Sequence, residues 1–312
     1  MNLDAPFFDD IAQRPEGSVV TWLTTGDNLR LRALYAPAPD AWGLVQIHAG
    51  RTEFIEKYAE IIAIFQSVGL SVVTCDWRGQ GLSDRVHKDP NIGHIDQFSD
   101  YQHDVVAMRE YAKSFDADLP EYVLGHSMGG AIALRTILDT APFKAAGFSG
   151  PMWGIELPQI VTTFYPLAVA FSRMFYGLNK YAYGTNEISY LKKAAFENNN
   201  LTFDRAQFEA LRHQVLAHDE LNIGGPSLRW IDQAVKECRQ LVNAPAPSCP
   251  CLTFLGDHES IVSSDVIKKR HETWPNSELV ILPRTQHETL MTAPAERDAT
   301  MRKMIDHFRK HR

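Results

Sequence analysis

The sequence predicts an α/β fold: a mostly parallel central sheet with helices on both faces and an inserted helical cap. Three observations lead there. Short apolar runs of strand length alternate with segments of helical periodicity through the first 150 residues. Midway, Gly125-His126-Ser127-Met128-Gly129-Gly130 lies between the apolar run Tyr122-Val123-Leu124 and the helix former Ala131-Ile132-Ala133-Leu134. After Lys144-Ala145-Ala146-Gly147-Phe148-Ser149 the alternation stops for about a hundred residues and resumes at Cys251. The organisation expected is a core of residues 1–150 and 247–312 with a helical cap over residues 151–246.

Taken in order, Ser18–Leu23 and Leu29–Tyr35 flank the turn Gly26-Asp27-Asn28 and read as an antiparallel hairpin at a sheet edge. Gly43–His48 is a short apolar strand, followed by Phe54, Tyr58, Ile61, Ile62 and Phe65 at helical spacing. A strand over Leu70–Cys75 and a helix with Phe98, Tyr101, Val105 and Met108 on one face come next. Strand and helix in alternation mean a parallel sheet covered on both sides, with reactive groups at the carboxyl ends of its strands. Within the interruption, Leu157–Phe175 is apolar and aromatic, but Pro166 and Arg173 break it and it is too short and mixed to span a membrane. Asp204 with Gln207 reads as a helix start ahead of Phe208, Leu211 and Val215. Trp230, Ala234, Cys238 and Leu241 mark a further helix, opened by Gly225-Pro226 and closed before Pro245. Two strands then complete the sheet, Cys251–Leu255 and Glu278–Leu282.

Composition narrows the function classes. The chain of 312 residues is 45% hydrophobic, enough for one large core, and its net charge of −7 contains no long single-sign block, which argues against a nucleic-acid partner. Cys75, Cys238, Cys249 and Cys251 have neither CxxC nor zinc-finger spacing. Reduced thiols and a cytoplasmic location are the expectation, since the acidic start Met1-Asn2-Leu3-Asp4 leads into no signal-peptide run. Ligand spacing suggests no cofactor and no metal.

The chemistry centres on Ser127. A serine flanked by glycines between a strand and a helix is a nucleophile elbow: the tight turn lifts the hydroxyl clear of the sheet, and the helix behind it offers the unpaired N–H of Met128 to a developing oxyanion. A serine hydroxyl is a poor nucleophile near neutral pH. It needs an imidazole to take its proton and a carboxylate to orient that imidazole. His287, beyond the last strand, is the expected base; Asp257 and Glu259, beyond the strand before it, are the carboxylate candidates, and the chain order serine, carboxylate, histidine suits such a sheet. His126, tied into the elbow, is given a structural role.

These residues, with His48–Tyr58, Asp76-Trp77-Arg78-Gly79-Gln80-Gly81-Leu82-Ser83 and Asn222–Ser227, resemble the α/β-hydrolases over nearly the whole chain. Within them the chain is similar to the lysophospholipase and monoacylglycerol lipase group, also called serine aminopeptidase S33 or hydrolase 4. The resemblance implies an α/β-hydrolase fold and a second oxyanion donor from the loop after His48. Ala49 stands where glycine is usual and the loop is one residue longer before Glu53, so the donor is the N–H of Arg51 or of Gly50, with Arg51 favoured. Glu259 fills a slot where the family usually has aspartate, which favours it over Asp257. The Asp76–Ser83 turn is expected to be a structural feature beside the site.

The expected activity is hydrolysis of single-acyl carboxylic esters, lysophospholipid or monoacylglycerol, through an acyl-serine; peptidase or thioesterase chemistry and a non-catalytic binding protein are the alternatives. The expected partner is a small-molecule ester, with transient membrane-surface contact through the cap. Trp153, Ile160, Phe164, Tyr165, Leu167, Phe171, Phe175 and Tyr176 are expected to divide between packing the cap and lining an acyl chamber.

Overall fold

The structure, a computed structural model, describes residues 4–140, 142–156, 174 and 177–312. Its strands are β1 (Val19–Thr24), β2 (Arg30–Ala36), β3 (Gly43–His48), β4 (Leu70–Cys75), β5 (Glu121–His126), β6 (Ala145–Ser149), β7 (Cys251–Gly256) and β8 (Ser277–Leu282). They form one sheet in the order β1-β2-β4-β3-β5-β6-β7-β8. β1 pairs antiparallel with β2, and β2 with β4, while every other pair is parallel. The hairpin expected at the edge is present, with Thr24 opposite Arg30 and Asn28 in the left-handed region at φ 66°. The inner strands β3, β4, β5, β6 and β7 are buried along their whole length, as parallel strands covered on both faces must be, and their runs of valine, isoleucine and leucine follow from that.

Helices cover both faces. On one, α1 (Ala59–Gln66) meets α7 (Pro294–Lys310) where Phe65 stacks on Phe308, and Phe308 also stacks on Tyr122 of β5. On the other lie α2 (Tyr101–Lys113), α3 (Met128–Thr140) and α5 (Leu228–Asn243), joined by the Trp230 Nε1 donation to the Tyr101 hydroxyl at 3.3 Å and the Arg135–Glu237 ion pair at 2.8 Å. The helix expected at Asp204 is α4 (Arg205–Ala217), whose Gln207 N–H donates to the Asp204 carboxylate at 2.9 Å. The sequence reading did not anticipate α6 (Ser264–Glu272) or α7, although Met301, Met304, Ile305 and Phe308 recur at helical spacing behind Pro294.

α5 falls within residues 151–246, the stretch expected as cap, and its Trp230, Ala234, Cys238 and Leu241 pack into the main hydrophobic core, with α5 against α3. Periodicity identifies a buried face but not what buries it. The rest of the segment between β6 and β7 is stitched to the core at both ends. Ile155 bridges Val262, and Gly224-Gly225-Pro226-Ser227 is pinned along Asn91–Gly93 by the donations Gly224 N to Asn91 O and Ser227 N to Gly93 O. No helix among the described residues is long and apolar enough to cross a membrane.

Two buried cations hold the Asp76–Ser83 turn, Arg78 within it, paired with Asp104 and Asp27, and Arg32 from β2. Arg32, fully buried, donates to Asp76 at 2.8 Å and to both oxygens of Glu56 at 2.7 and 2.8 Å. Asp76 also accepts from the N–H groups of Ile55 and Leu82. Burial alone would push the Arg32 guanidinium toward deprotonation, but Asp76 and Glu56 raise its affinity for the proton above the ordinary value. Removing one member of a buried ionic set strands the others, at a cost of about 3–5 kcal/mol. Arg32→Met should lose that much stability in urea unfolding near neutral pH, and the deficit should shrink toward acid as the stranded carboxyls take up protons. A deficit below about 1 kcal/mol would mean that Arg32 does not support this turn.

Candidate active site

The geometry of the elbow follows from three glycines. A Cβ at Gly125 would lie 2.9 Å from the Cα of Gly130, and one at Gly129 would overlap the carbonyl oxygen of His48. Helix α3 can therefore start immediately behind β5 and against the end of β3. Ser127 sits at the turn with φ 50°, a left-handed conformation that costs a non-glycine residue energy and persists only where neighbours enforce it. They do so through the backbone: Ser127 N–H donates to Ser149 O at 3.1 Å, and its carbonyl accepts from Gly130 at 2.9 Å and Met152 at 2.8 Å.

His287, after β8, and Glu259, after β7, meet beside it. The His287 Nδ1 donates to Glu259 Oε2 at 2.7 Å, since an ionised carboxylate only accepts, which leaves Nε2 as the basic nitrogen. Glu259 Oε1 accepts from the N–H groups of Ile261 at 2.7 Å and Val262 at 3.1 Å. Burial of this carboxyl works against ionisation, but the His287 bond and the two backbone donors hold it below its ordinary value. Gly150, at φ 48°, leaves room for the pair; a Cβ there would come within 3.2 Å of both Glu259 Oε2 and His287 Nδ1. Asp257 is elsewhere, on the surface, with its carboxylate on His258 Nδ1 at 2.7 Å and on the Thr285 N–H at 3.1 Å. Of the two carboxylates expected from the sequence, Glu259 is the one brought to His287.

Ser127 and His287 line one cavity of about 370 Å³. Its apolar wall is Phe54, Leu191, Leu201, Leu211, Val215 and Ile261, none of which the sequence reading placed in the chamber. Trp153, one of the residues expected to divide between packing and chamber, is on the packing side: it is fully buried, donates to Gly130 O at 3.2 Å and packs on Phe148 and Trp274. Ile160, Phe164, Tyr165, Leu167, Phe171, Phe175 and Tyr176 lie outside the described residues.

The expected oxyanion donors can be compared by what their N–H groups already do. Met128 opens α3 and has no intrahelical acceptor for its N–H. Gly50 N–H donates to the Glu53 carboxylate, and Thr52 N–H to Gln80 Oε1 at 2.9 Å. Between them the Arg51 N–H has no acceptor among the described residues.

Beneath the elbow lies a buried ionic cluster that the sequence reading missed. Lys57 Nζ donates to Glu53 and, at 2.7 Å, to Glu288; the Tyr58 hydroxyl donates to Glu53 at 2.6 Å. His126 Nε2 is 3.4 Å from Glu53 and 3.5 Å from Glu288, and its ring centroid is 5.0 Å from that of His287. Burial opposes a charge on His126, but the two carboxylates outweigh it and raise its pKa. Burial likewise opposes ionisation of Glu288, yet Lys57 and His126 hold it well below the usual carboxylate range. The only signals in the sequence were the four-residue spacing of Glu53 and Lys57 and the position of Glu288 directly after His287. Glu53, His126 and Glu288 come close enough to share a cation, and the Lys57 ammonium, bonded to both carboxylates, already fills that role.

Comparison with known proteins agrees with this architecture. Residues 39–293 match the family described as serine aminopeptidase, S33. The chain is 26% identical over 310 residues to the probable lysophospholipase L2 of Haemophilus influenzae, covering 97% of this chain and 93% of that protein. It is 28% identical over 320 residues to lysophospholipase L2 of Escherichia coli K12, covering 98% and 91%. Among solved structures, a soluble variant of monoglyceride lipase from Saccharomyces cerevisiae, in complex with a substrate analog, superimposes with a TM-score of 0.74 at 18% identity over 98% of this chain and 99% of that one, a likeness of fold.

The depressed Glu288 makes a signed prediction. A carboxylate whose folded pKa lies below its unfolded value stabilises the fold above that unfolded value, here the ordinary 4.5, and loses the contribution as pH falls toward the folded one. Glu288→Gln should therefore be less stable than the parent by about 3 kcal/mol at neutral pH, with the gap closing below about pH 4.5 in urea unfolding. A gap that stays constant into acid would show that the charge on Glu288 is not what stabilises.

Proposed function

Because the chain belongs to the serine aminopeptidase S33 family, we infer that it is a serine hydrolase of single-acyl carboxylic esters, lysophospholipid or monoacylglycerol, acting through an acyl-serine. The observation that carries the site assignment is the Glu259–His287 bond beside the strained Ser127. In this reading His287 Nε2 takes the Ser127 proton as Oγ attacks the ester carbonyl, and Glu259 keeps the imidazole in that tautomer and stabilises the imidazolium. The N–H groups of Met128 and Arg51 receive the oxyanion. His287 then protonates the departing alcohol, and water repeats the sequence on the acyl-serine.

The cavity supports an acyl chain. Its wall is mostly apolar, and each buried methylene is worth about 0.8 kcal/mol, so a tail of several carbons gains over acetate even after ordering costs. An aminopeptidase would need an acidic group for the free α-amine of its peptide, whereas the two carboxylates that line the cavity among the described residues, Glu53 and Glu288, are taken by Lys57. The cap of this reading is the segment between β6 and α5. Met174, Tyr183, Ile188, Tyr190, Phe203 and Leu216 are exposed apolar side chains on it, which suits transient contact with a membrane surface where such esters reside. A cytoplasmic location belongs to the same reading and rests on the four cysteines, all buried and unpaired.

Three measurements test it. A fluorophosphonate probe should label the parent protein but not Ser127→Ala. Glu259→Gln should lower kcat about a thousandfold or more, against little change for Asp257→Asn; the reverse order would transfer the acid role to Asp257. For the chamber, kcat/KM should rise as the acyl chain of a glycerol ester is lengthened from two to eight carbons below micelle-forming concentrations, by up to a few fold per carbon. A steady fall would mean a small polar pocket.

A further inference from the structure

The Arg51 guanidinium meets no carboxylate among the described residues. Arg51 is half-buried, lines the same cavity as Ser127 and His287, and burial lowers its pKa to about 10. The buried cations around the site are matched by acids: Arg32 by Asp76 and Glu56, Arg78 by Asp104 and Asp27, Lys57 by Glu53 and Glu288. Two other arginines without an acid partner, Arg270 and Arg85, spend their donors on carbonyls. Arg270 donates to Ala244 O at 2.7 Å and Pro245 O at 3.0 Å, and Arg85 donates to four carbonyls. Arg51 makes one such bond among the described residues, Nη1 to Gly224 O, at 3.3 Å. A guanidinium offers five donors, so most of its capacity is unspent.

The recess that holds it is constructed rather than accidental. The guanidinium carbon lies 5.4 Å from the ring centre of Trp230, a cation–π distance. Gly93 leaves the space for Nη1, since a Cβ there would stand 2.7 Å from it. The wall opposite is the Gly224–Ser227 strap, fixed by its backbone bonds to Asn91 and Gly93 and by the His94 Nδ1–Ser227 Oγ bond at 2.8 Å. An oriented, partly desolvated guanidinium with free donors is suited to a tetrahedral oxyanion such as phosphate.

We propose that Arg51 is a specificity-determining residue that binds the phosphate of a single-chain glycerophospholipid while its ester lies at Ser127, so that the enzyme prefers lysophospholipids to neutral monoacylglycerols. The proposal rests on the ester-hydrolase reading above and chooses between the two substrate classes that reading leaves together. It assigns separate tasks to one residue: the backbone N–H faces the reacting carbonyl and the side chain reads the head group.

The test uses a matched pair, 1-octanoyl glycerol and 1-octanoyl-glycero-3-phosphocholine, below their micelle-forming concentrations, with the full chain. The quantity read is the ratio of kcat/KM for the phospholipid to that for the neutral ester. The parent should favour the phospholipid, and Arg51→Met should shift the ratio toward the neutral ester by about tenfold or more, the loss of a charge-assisted contact. Arg51→Lys, which keeps the charge but not the fork, should fall between. A ratio that moves less than twofold in Arg51→Met overturns the proposal. Binding is read independently of turnover by melting: glycerol 3-phosphate should raise the Tm of Ser127→Ala, and glycerol should not. Absence of that shift overturns the proposal even if Arg51→Met fails to fold, and an equal shift with inorganic phosphate would assign the site to the free anion instead of a head group. If neither octanoyl ester is hydrolysed by the parent while the Tm shift is present, the ester-hydrolase reading fails and the anion site stands.

Discussion

The Lys57 ammonium joins the parts of this site that come from different regions of the chain. Its two carboxylates arrive from separate loops: Glu53 from the loop after β3 that also carries Gly50 and Arg51, and Glu288 from the residue after His287. His126, one residue before Ser127, faces the same two oxygens. Three loops that share no sequence neighbourhood are thus held by a single buried charge cluster, and movement of any one would strand charge in a low-dielectric interior. The cost of that, several kcal/mol, keeps the loops in register more firmly than exposed contacts would. Glu53 also takes the Gly50 N–H, which leaves the next N–H along, that of Arg51, unclaimed.

A second buried set works one layer back. Arg32 with Asp76 and Glu56, and Arg78 with Asp104 and Asp27, fix the turn whose Gln80 accepts the Thr52 N–H and donates to Gly50 O. The loop after β3 is therefore clamped from two directions, by Lys57 beneath and by the Gln80 side chain beside it. This gives a structural role to the Asp76–Ser83 segment whose conspicuous glycines and charges mark it in the sequence.

Much of the fold was legible because it rests on local pattern. Parallel strands buried on both faces must be apolar runs, and the elbow must have small residues around its serine, so β3 to β7 and Ser127 could be read directly. The choice between Asp257 and Glu259 was harder, since both follow the same strand and only the turn from Gly256 decides which carboxylate faces His287. Packing across the chain was illegible. Trp153 and α5 looked like cap because they follow β6, yet Trp153 docks on Phe148 and Trp274, and α5 on α3. The Lys57 cluster joins residues as far apart as 57 and 288, a relation that no window of sequence displays.

The stitching of the segment between β6 and α5 has a further meaning. At its start, Ile155 bridges Val262, whose N–H also supports Glu259; at its end, the strap over Gly93 leads into a helix that belongs to the core. The chain leaves and returns at points fixed by the sheet and its helices. Between them it also reaches the loop that carries His287: the Glu288 N–H donates to Leu201 O and Gln286 Nε2 to Asn199 O, both at 2.9 Å. A change of length or composition around Asn199–Leu201 is therefore felt by the imidazole as well as by the cavity wall, so substrate range and reaction chemistry are tied together at that seam and cannot drift apart freely.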